Sequence, residues 1–231
     1  RNESAYIPHI AEKIADIYNS MANEYDDIKD LWYGWLLARL HYKIVKYLKE
    51  KRIKPPLKCL DIGCGTGFQS LLLSLCGYNV TGIDISEQLI EKAKSKSVLD
   101  FENQGIFISP FSFINEITLN TTILGREIRN EMPIFEPVYK LASATSLPFE
   151  DNQFELVNCC GSVLSSIEEY KQALKEFSRV LKPNGILILE VENKYNIELL
   201  WTMFDKILFG VLNYNQAIST SLKNLFSKRK E

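Results

Sequence analysis

Cys59-Leu-Asp-Ile-Gly-Cys-Gly-Thr-Gly-Phe68 joins an apolar run closed by an acid, Asp61, to three glycines at alternate positions, Gly63, Gly65 and Gly67. The pattern predicts a buried strand over residues 58–62 that turns sharply into a helix over 67–76. Repeated glycines weaken both elements, so they mark positions where φ is positive or where a Cβ would strike a bound ligand. The helix start offers N–H groups without intrahelical partners and the positive end of the dipole. A nucleotide-like ligand is expected at this turn. Two familiar nucleotide loops do not fit it. The dinucleotide fingerprint needs its third small residue where Phe68 stands, and Gly67 falls one position early. The P-loop needs Gly-Lys-Ser/Thr, and no lysine occurs between Lys58 and Lys92.

The following residues extend the same pattern. Tyr78-Asn-Val-Thr-Gly-Ile-Asp84 predicts a second strand ending in an acid, seventeen residues past Gly67. A carboxylate at the carboxyl end of a parallel strand can accept both hydroxyls of a ribose. The competing reading makes Asp84 a helix N-terminal acid before 86–96. Further along stand Ala142-Ser-Ala-Thr-Ser-Leu-Pro-Phe149, Phe154-Glu-Leu-Val157, and Arg179 followed by Val180-Leu-Lys-Pro-Asn-Gly-Ile-Leu-Ile-Leu189. Proline and Asn-Gly in the last segment end a helix and turn the chain into a strand.

Asp61-Ile-Gly-Cys-Gly-Thr-Gly67 resembles motif I of the class I S-adenosylmethionine-dependent methyltransferases, and the later segments follow in that family's order from 59 to 191. The likeness is strongest to its small-molecule branch, typified by the ubiquinone-biosynthesis (type 11) enzymes. It implies S-adenosyl-L-methionine as cofactor, S-adenosyl-L-homocysteine as product and a small-molecule acceptor methylated at O, N or C. Gly63, Cys64, Gly65 and Gly67 would hold the methionine portion, with Asp61 organising its ammonium end. Asp84 and Ile85 would hold the ribose, Ser143 and Ala144 would edge the adenine, and Cys160 would join them at the end of the fourth strand. Ile17-Tyr-Asn-Ser-Met-Ala-Asn-Glu-Tyr-Asp26 is similar to the segment that closes over the cofactor in relatives. It would bring Tyr18 and Tyr25 to the sulfonium, which their ring faces favour; ordinary helix packing by these tyrosines is the other reading. Two departures stand out. Ser143 replaces the family's adenine-loop aspartate, and Ser166 stands where the branch carries histidine. No catalytic residue is therefore assigned. His9 and His41 are the only histidines, and His41 is read first as a core or surface residue of a helix, with a general base as the less favoured alternative.

The expected fold is α/β: a Rossmann-like, doubly wound, mostly parallel sheet with helices on both faces, in one domain over 1–231. Residues 1–56 form N-terminal helices that act as a lid, 57–97 and 137–193 the core, 98–136 an insertion before the third strand, and 194–231 C-terminal helices. Insertions of this length within a domain are usually functional, and this one is expected to cover the acceptor pocket. The final strand pair usual in such sheets is not visible in the tail, so the sheet is expected to be incomplete or its last part absent from this chain.

Composition narrows the function. A formal charge of −2 over 231 residues argues against a nucleic-acid surface. Cys59, Cys64, Cys76, Cys159 and Cys160 lack a paired C-x-x-C spacing; they are read as reduced thiols of a cytoplasmic protein, with no disulfide or metal site. No apolar run reaches the length of a membrane span, and no signal peptide is evident. The first residue is not Met, so the chain is expected to be processed or trimmed. Oligomeric state is not specified. Among rival functions, a nicotinamide oxidoreductase is contradicted at Phe68. An aminopropyltransferase would want acids where Cys159-Cys160-Gly161 stands. A catalytically silent S-adenosylmethionine-binding subunit working with a partner is the alternative that the residues allow.

Overall fold

In the computed structural model the described residues are 9–26, 31–104 and 111–191. Two helices, α1 (His9–Met21) and α2 (Leu31–Glu50), precede an alternation of strands and helices. The alternation begins with β1 (Lys58–Ile62), α3 (Phe68–Leu75), β2 (Asn79–Asp84) and α4 (Glu87–Lys94). Two further helices, α5 (Val98–Gln104) and α6 (Ser112–Arg129), lead to β3 (Val138–Leu141). The alternation then resumes with β4 (Phe154–Cys159), α7 (Tyr170–Val180) and β5 (Leu181–Leu189).

The five strands form one sheet in the order β3-β2-β1-β4-β5, and every pairing is parallel. β1 is central and buried from Cys59 to Ile62, as a strand covered on both faces must be. Successive side chains point to opposite faces, and each face has its own apolar layer. Cys59 joins Val45 and Leu48 of α2 and Leu71, Leu72 and Leu75 of α3. Leu60 and Ile62 join Ala173, Phe177 and Val180 of α7. Strand order reverses between β1 and β4. Such a reversal opens a crevice beyond the carboxyl ends of those strands, where open α/β sheets bind ligands.

The insertion is two helices, α5 and α6. Arg126 and Arg129 of α6 both reach Glu102 of α5, with N–O separations of 2.7 and 3.1 Å, so the charged run near 125–131 clamps these two helices together. Ile117, Leu124 and Ile128 of α6 pack on the same apolar layer as α2 and α3. The expected C-terminal helices over 194–231 lie outside the described residues, as does the question of further strands there.

Candidate active site

The turn after β1 is shaped by close packing. Gly63 has φ +69°, and a Cβ there would lie 2.3 Å from Val163 Cγ2. Gly67, the residue before α3, has φ +89°, and a Cβ would lie 2.5 Å from the Tyr139 hydroxyl of β3. Both positions have the positive φ expected of them, and neighbouring side chains fill the space a Cβ would take. Gly65 N–H donates to Asp84 Oδ2 at 2.9 Å, and Ser86 N–H donates to Asp84 Oδ1 at 2.9 Å. Asp84 therefore joins the turn to the end of β2. Each of its oxygens accepts one of these backbone bonds, and a carboxylate oxygen can accept more than one. Burial pushes its carboxyl pKa up, while the N–H groups of Ser86, Gly65 and Ile85 pull it back.

Beneath the turn lies a buried polar network. Asp61 accepts from Ser70 Oγ at 2.6 Å and from Asn158 Nδ2 at 2.8 Å. Asn158 Nδ2 also donates to Gln69 Oε1 at 2.7 Å, and Cys160 Sγ donates to Asn158 Oδ1 at 3.3 Å. Burial holds Asp61 up at about 6, opposed by the bonds from Ser70 and Asn158. The network leaves the Gln69 NH2 as the end of that amide not used below the turn.

A second device shapes the loop after β4. Gly161 and Ser162 both have positive φ, and their N–H groups converge on Glu190 Oε2 at 2.6 and 2.7 Å. The carboxylate at the end of β5 thereby satisfies two loop donors at once.

These elements surround one cavity at the carboxyl ends of the strands. Its wall includes Gly63, Cys64 and Gly65 of the turn, Asp84 and Ile85 after β2, Ser143 and Ala144 after β3, and Cys160 after β4. Tyr18 and Tyr25 lie on it as well. Ten of the residues singled out from the sequence are thus brought together, and two are not. Asp61 lies behind the turn in the polar network, and Gly67 faces Tyr139. Ser143 Oγ sits 2.9 Å from Thr145 Oγ1 and accepts from Thr145 N at 3.3 Å, so it stabilises its own turn. Ser166 lines the cavity too. Burial pushes the thiols of Cys64 and Cys160 well up, so both are uncharged at neutral pH and neither is a thiolate nucleophile.

The N-terminal segment is fastened over this cavity at two points. Asn19 Oδ1 accepts from Ser86 Oγ at 2.6 Å. Asp26 accepts from Thr66 Oγ1 at 2.5 Å and pairs with Lys96 at 2.8 Å. Between the fasteners Tyr18 and Tyr25 meet edge to face at 6.3 Å, and the Tyr25 ring covers Gly65. Asp26→Ala is expected to speed amide hydrogen exchange across residues 15–26 by about tenfold, the loss of roughly 1.4 kcal/mol from one hydrogen bond and a partly buried ion pair. Exchange in β1 should not change, and a uniform change along the chain would point to global destabilisation instead.

Several wall residues were not anticipated. Thr66 and Gln69 follow from the turn once its path is known. Val163 enters because the loop after β4 folds back onto Gly63. His41, read chiefly as a core or surface histidine and only secondarily as a base, proves fully buried and lines the cavity. The signal was its position four and eight residues after Leu37 and Tyr33, both also on the wall. Among the described residues of the insertion none lines the cavity, and α6 packs against α2 and α3.

The family described as methyltransferase domain matches residues 36–229. The chain is 27% identical over 182 residues to demethylmenaquinone methyltransferase of Staphylococcus aureus (strain MRSA252), a match covering 77% of this chain and 59% of that protein. The homologue of Staphylococcus saprophyticus is 26% identical over the same length, with 77% and 61% covered. The chain thus spans about three fifths of the length of these curated relatives. Among solved structures, magnesium protoporphyrin IX methyltransferase of Synechocystis PCC 6803 with bound SAM superposes with a TM-score of 0.51 at 18% identity, covering 78% of this chain and 74% of that one. The cyclase SpnF gives a TM-score of 0.52 at 21% identity, covering 80% and 61%. These two likenesses establish the fold. That one of the two is named a cyclase illustrates that chemistry must be argued from the site.

Proposed function

This chain belongs to the methyltransferase domain family, and from that premise we propose that it transfers the methyl group of S-adenosyl-L-methionine to an O, N or C atom of a small-molecule acceptor. The observation that carries this reading is the convergence of the Gly63–Gly65 turn, Asp84 and the Ser143–Thr145 turn on a single cavity. A nucleoside-bearing cofactor needs those three things together: close backbone, a carboxylate for the ribose and a small-residue edge for the base.

The residues present fit that cofactor. Asp84 is 8% exposed, and its oxygens can each accept more than one hydrogen bond, which suits a vicinal diol. Tyr18 and Tyr25 offer ring faces and edges to a sulfonium. The Gln69 amide is oriented from below by Asn158 and Asp61, so its N–H groups suit the carboxylate end of an amino acid. Asp61 is a positioning residue in this reading, acting through Asn158 and Gln69. The bound cofactor would supply a methyl group on a good leaving group. The protein's own part is alignment and exclusion of water, which the fastened α1 segment supports. The formal charge of −2 favours a small molecule over nucleic acid as acceptor. Five cysteines, all free and buried, suit a reducing compartment such as the cytoplasm. Among the described residues no helix is long and apolar enough to cross a membrane.

Titration calorimetry of the full chain tests the reading. S-adenosylmethionine and S-adenosylhomocysteine are expected to bind in the micromolar range, about −8 kcal/mol, with NADH showing no heat. Binding of NADH without the sulfur nucleotides would overturn it.

A further inference from the structure

His41 is wholly buried on α2, and neither ring nitrogen has a hydrogen-bond partner. Leaving a buried polar group unpaired costs about 1–3 kcal/mol, and native structures rarely tolerate it without a use. Tyr33, Leu37 and His41 are spaced four apart on α2 and share one stripe of the helix. All three lie on the cavity wall. Tyr33 is 50% exposed and His41 not at all, so the stripe descends from the surface to the interior over about 12 Å. At its inner end stands an imidazole that burial holds down at about 4. Near neutral pH such a ring carries one donor and one acceptor nitrogen.

The cavity wall mixes apolar side chains, Ile14, Leu37, Val163 and Ile167 among them, with polar ones such as Gln69 and Ser166. Among the described residues no lysine or arginine lines it, so a carboxylate or phosphate entering here would lose its hydration without a counter-charge. The two carboxylates at Glu168 and Glu169 are exposed and stand at the rim. We propose that His41 is the acceptor-side contact of the methyl transfer, its imidazole receiving the hydrogen of a hydroxyl on an uncharged, largely apolar acceptor. This rests on the methyltransferase reading above. As the hydroxyl oxygen forms its bond to the methyl carbon, the carbon–sulfur bond breaks and its electron pair stays on sulfur. The hydroxyl proton passes to the free imidazole nitrogen, which takes up the positive charge given up by the sulfonium and returns to its neutral form once the products leave and water enters the cavity.

The test uses the full chain with 15N-labelled histidine, saturated with S-adenosylhomocysteine, and two probes, 1-naphthol and its methyl ether 1-methoxynaphthalene. Naphthol is expected to bind about tenfold more tightly than the ether, about 1.4 kcal/mol for the added hydrogen bond, and to shift the His41 nitrogen resonances without moving those of His9. His41→Phe should abolish that preference, and His41→Gln, which retains an acceptor oxygen, should restore part of it. Both variants should bind S-adenosylhomocysteine like the parent. Equal binding of the two probes, no binding of either, unmoved His41 resonances, or a preference that survives His41→Phe would each overturn the assignment. Failure of the parent chain to bind S-adenosylhomocysteine would instead overturn the cofactor reading.

Discussion

Asp84→Ala is expected to weaken S-adenosylmethionine binding by about a hundredfold or more. The carboxylate would accept two ribose hydroxyls, and hydrogen bonds to a charged group are worth about 1.5–3 kcal/mol each, so even the lower figure for both gives about 3 kcal/mol. Part of the loss has a structural origin, because Asp84 also receives Gly65 N–H and Ser86 N–H. Asp84→Asn separates the two contributions. Its remaining carbonyl oxygen keeps one backbone bond and holds the end of β2, while the charge and the second acceptor are lost. Calorimetry should place Asn between parent and Ala in affinity, with a melting temperature near the parent's. If Asp84→Ala binds the cofactor as tightly as the parent, the carboxylate serves only to tie the turn to β2, and the ribose role is wrong.

Gly67→Val should severely destabilise the fold. At φ +89° a β-branched residue is in a backbone conformation that costs roughly 1–2 kcal/mol or more. Its Cβ would also meet Tyr139 at 2.5 Å and Ala93 at 3.2 Å, and overpacking of a closed core costs about 1–3 kcal/mol. Together these predict about 2–5 kcal/mol, or a fall in melting temperature on the order of 10 °C for a chain of this size. Gly67→Ala keeps the backbone penalty with less crowding and should fall between. Tyr139→Phe in the Gly67→Ala background should recover part of the loss, since it removes the hydroxyl nearest the added methyl. A Gly67→Val protein that melts with the parent would mean that the turn is free to adopt another backbone path.

The order of the elements was legible because each carries its own local chemistry. The segments 58–62, 79–84 and 154–159 match β1, β2 and β4, short stretches built around buried apolar residues and bounded by turn signals. The strand expected at 185–191 instead begins at Leu181. Pairing with Phe154 draws Leu181 into the sheet, a contact between residues distant in sequence that local turn signals at Pro183-Asn-Gly185 do not register. The insertion was less legible for a related reason. Phe101 and Phe111, read among the aromatics of a pocket cover, pack into the apolar layer beside α2 and α3, and no local pattern specifies that docking.

The site divides along the same line. Asp61, the glycines 63, 65 and 67 and Asp84 were readable in the sequence because glycine and carboxylate placement at strand ends is dictated locally, by backbone conformation and charge. Tertiary structure decided what each of them touches. It put Asp61 behind the turn with Ser70 and Asn158, set Gly67 against Tyr139, folded Val163 onto Gly63 and gave the Gly161–Ser162 loop to Glu190. It also carried His41 into the cavity wall. Burial and the absence of a hydrogen-bond partner are properties of what surrounds a side chain, and the chain folds those surroundings together from segments that are far apart in sequence.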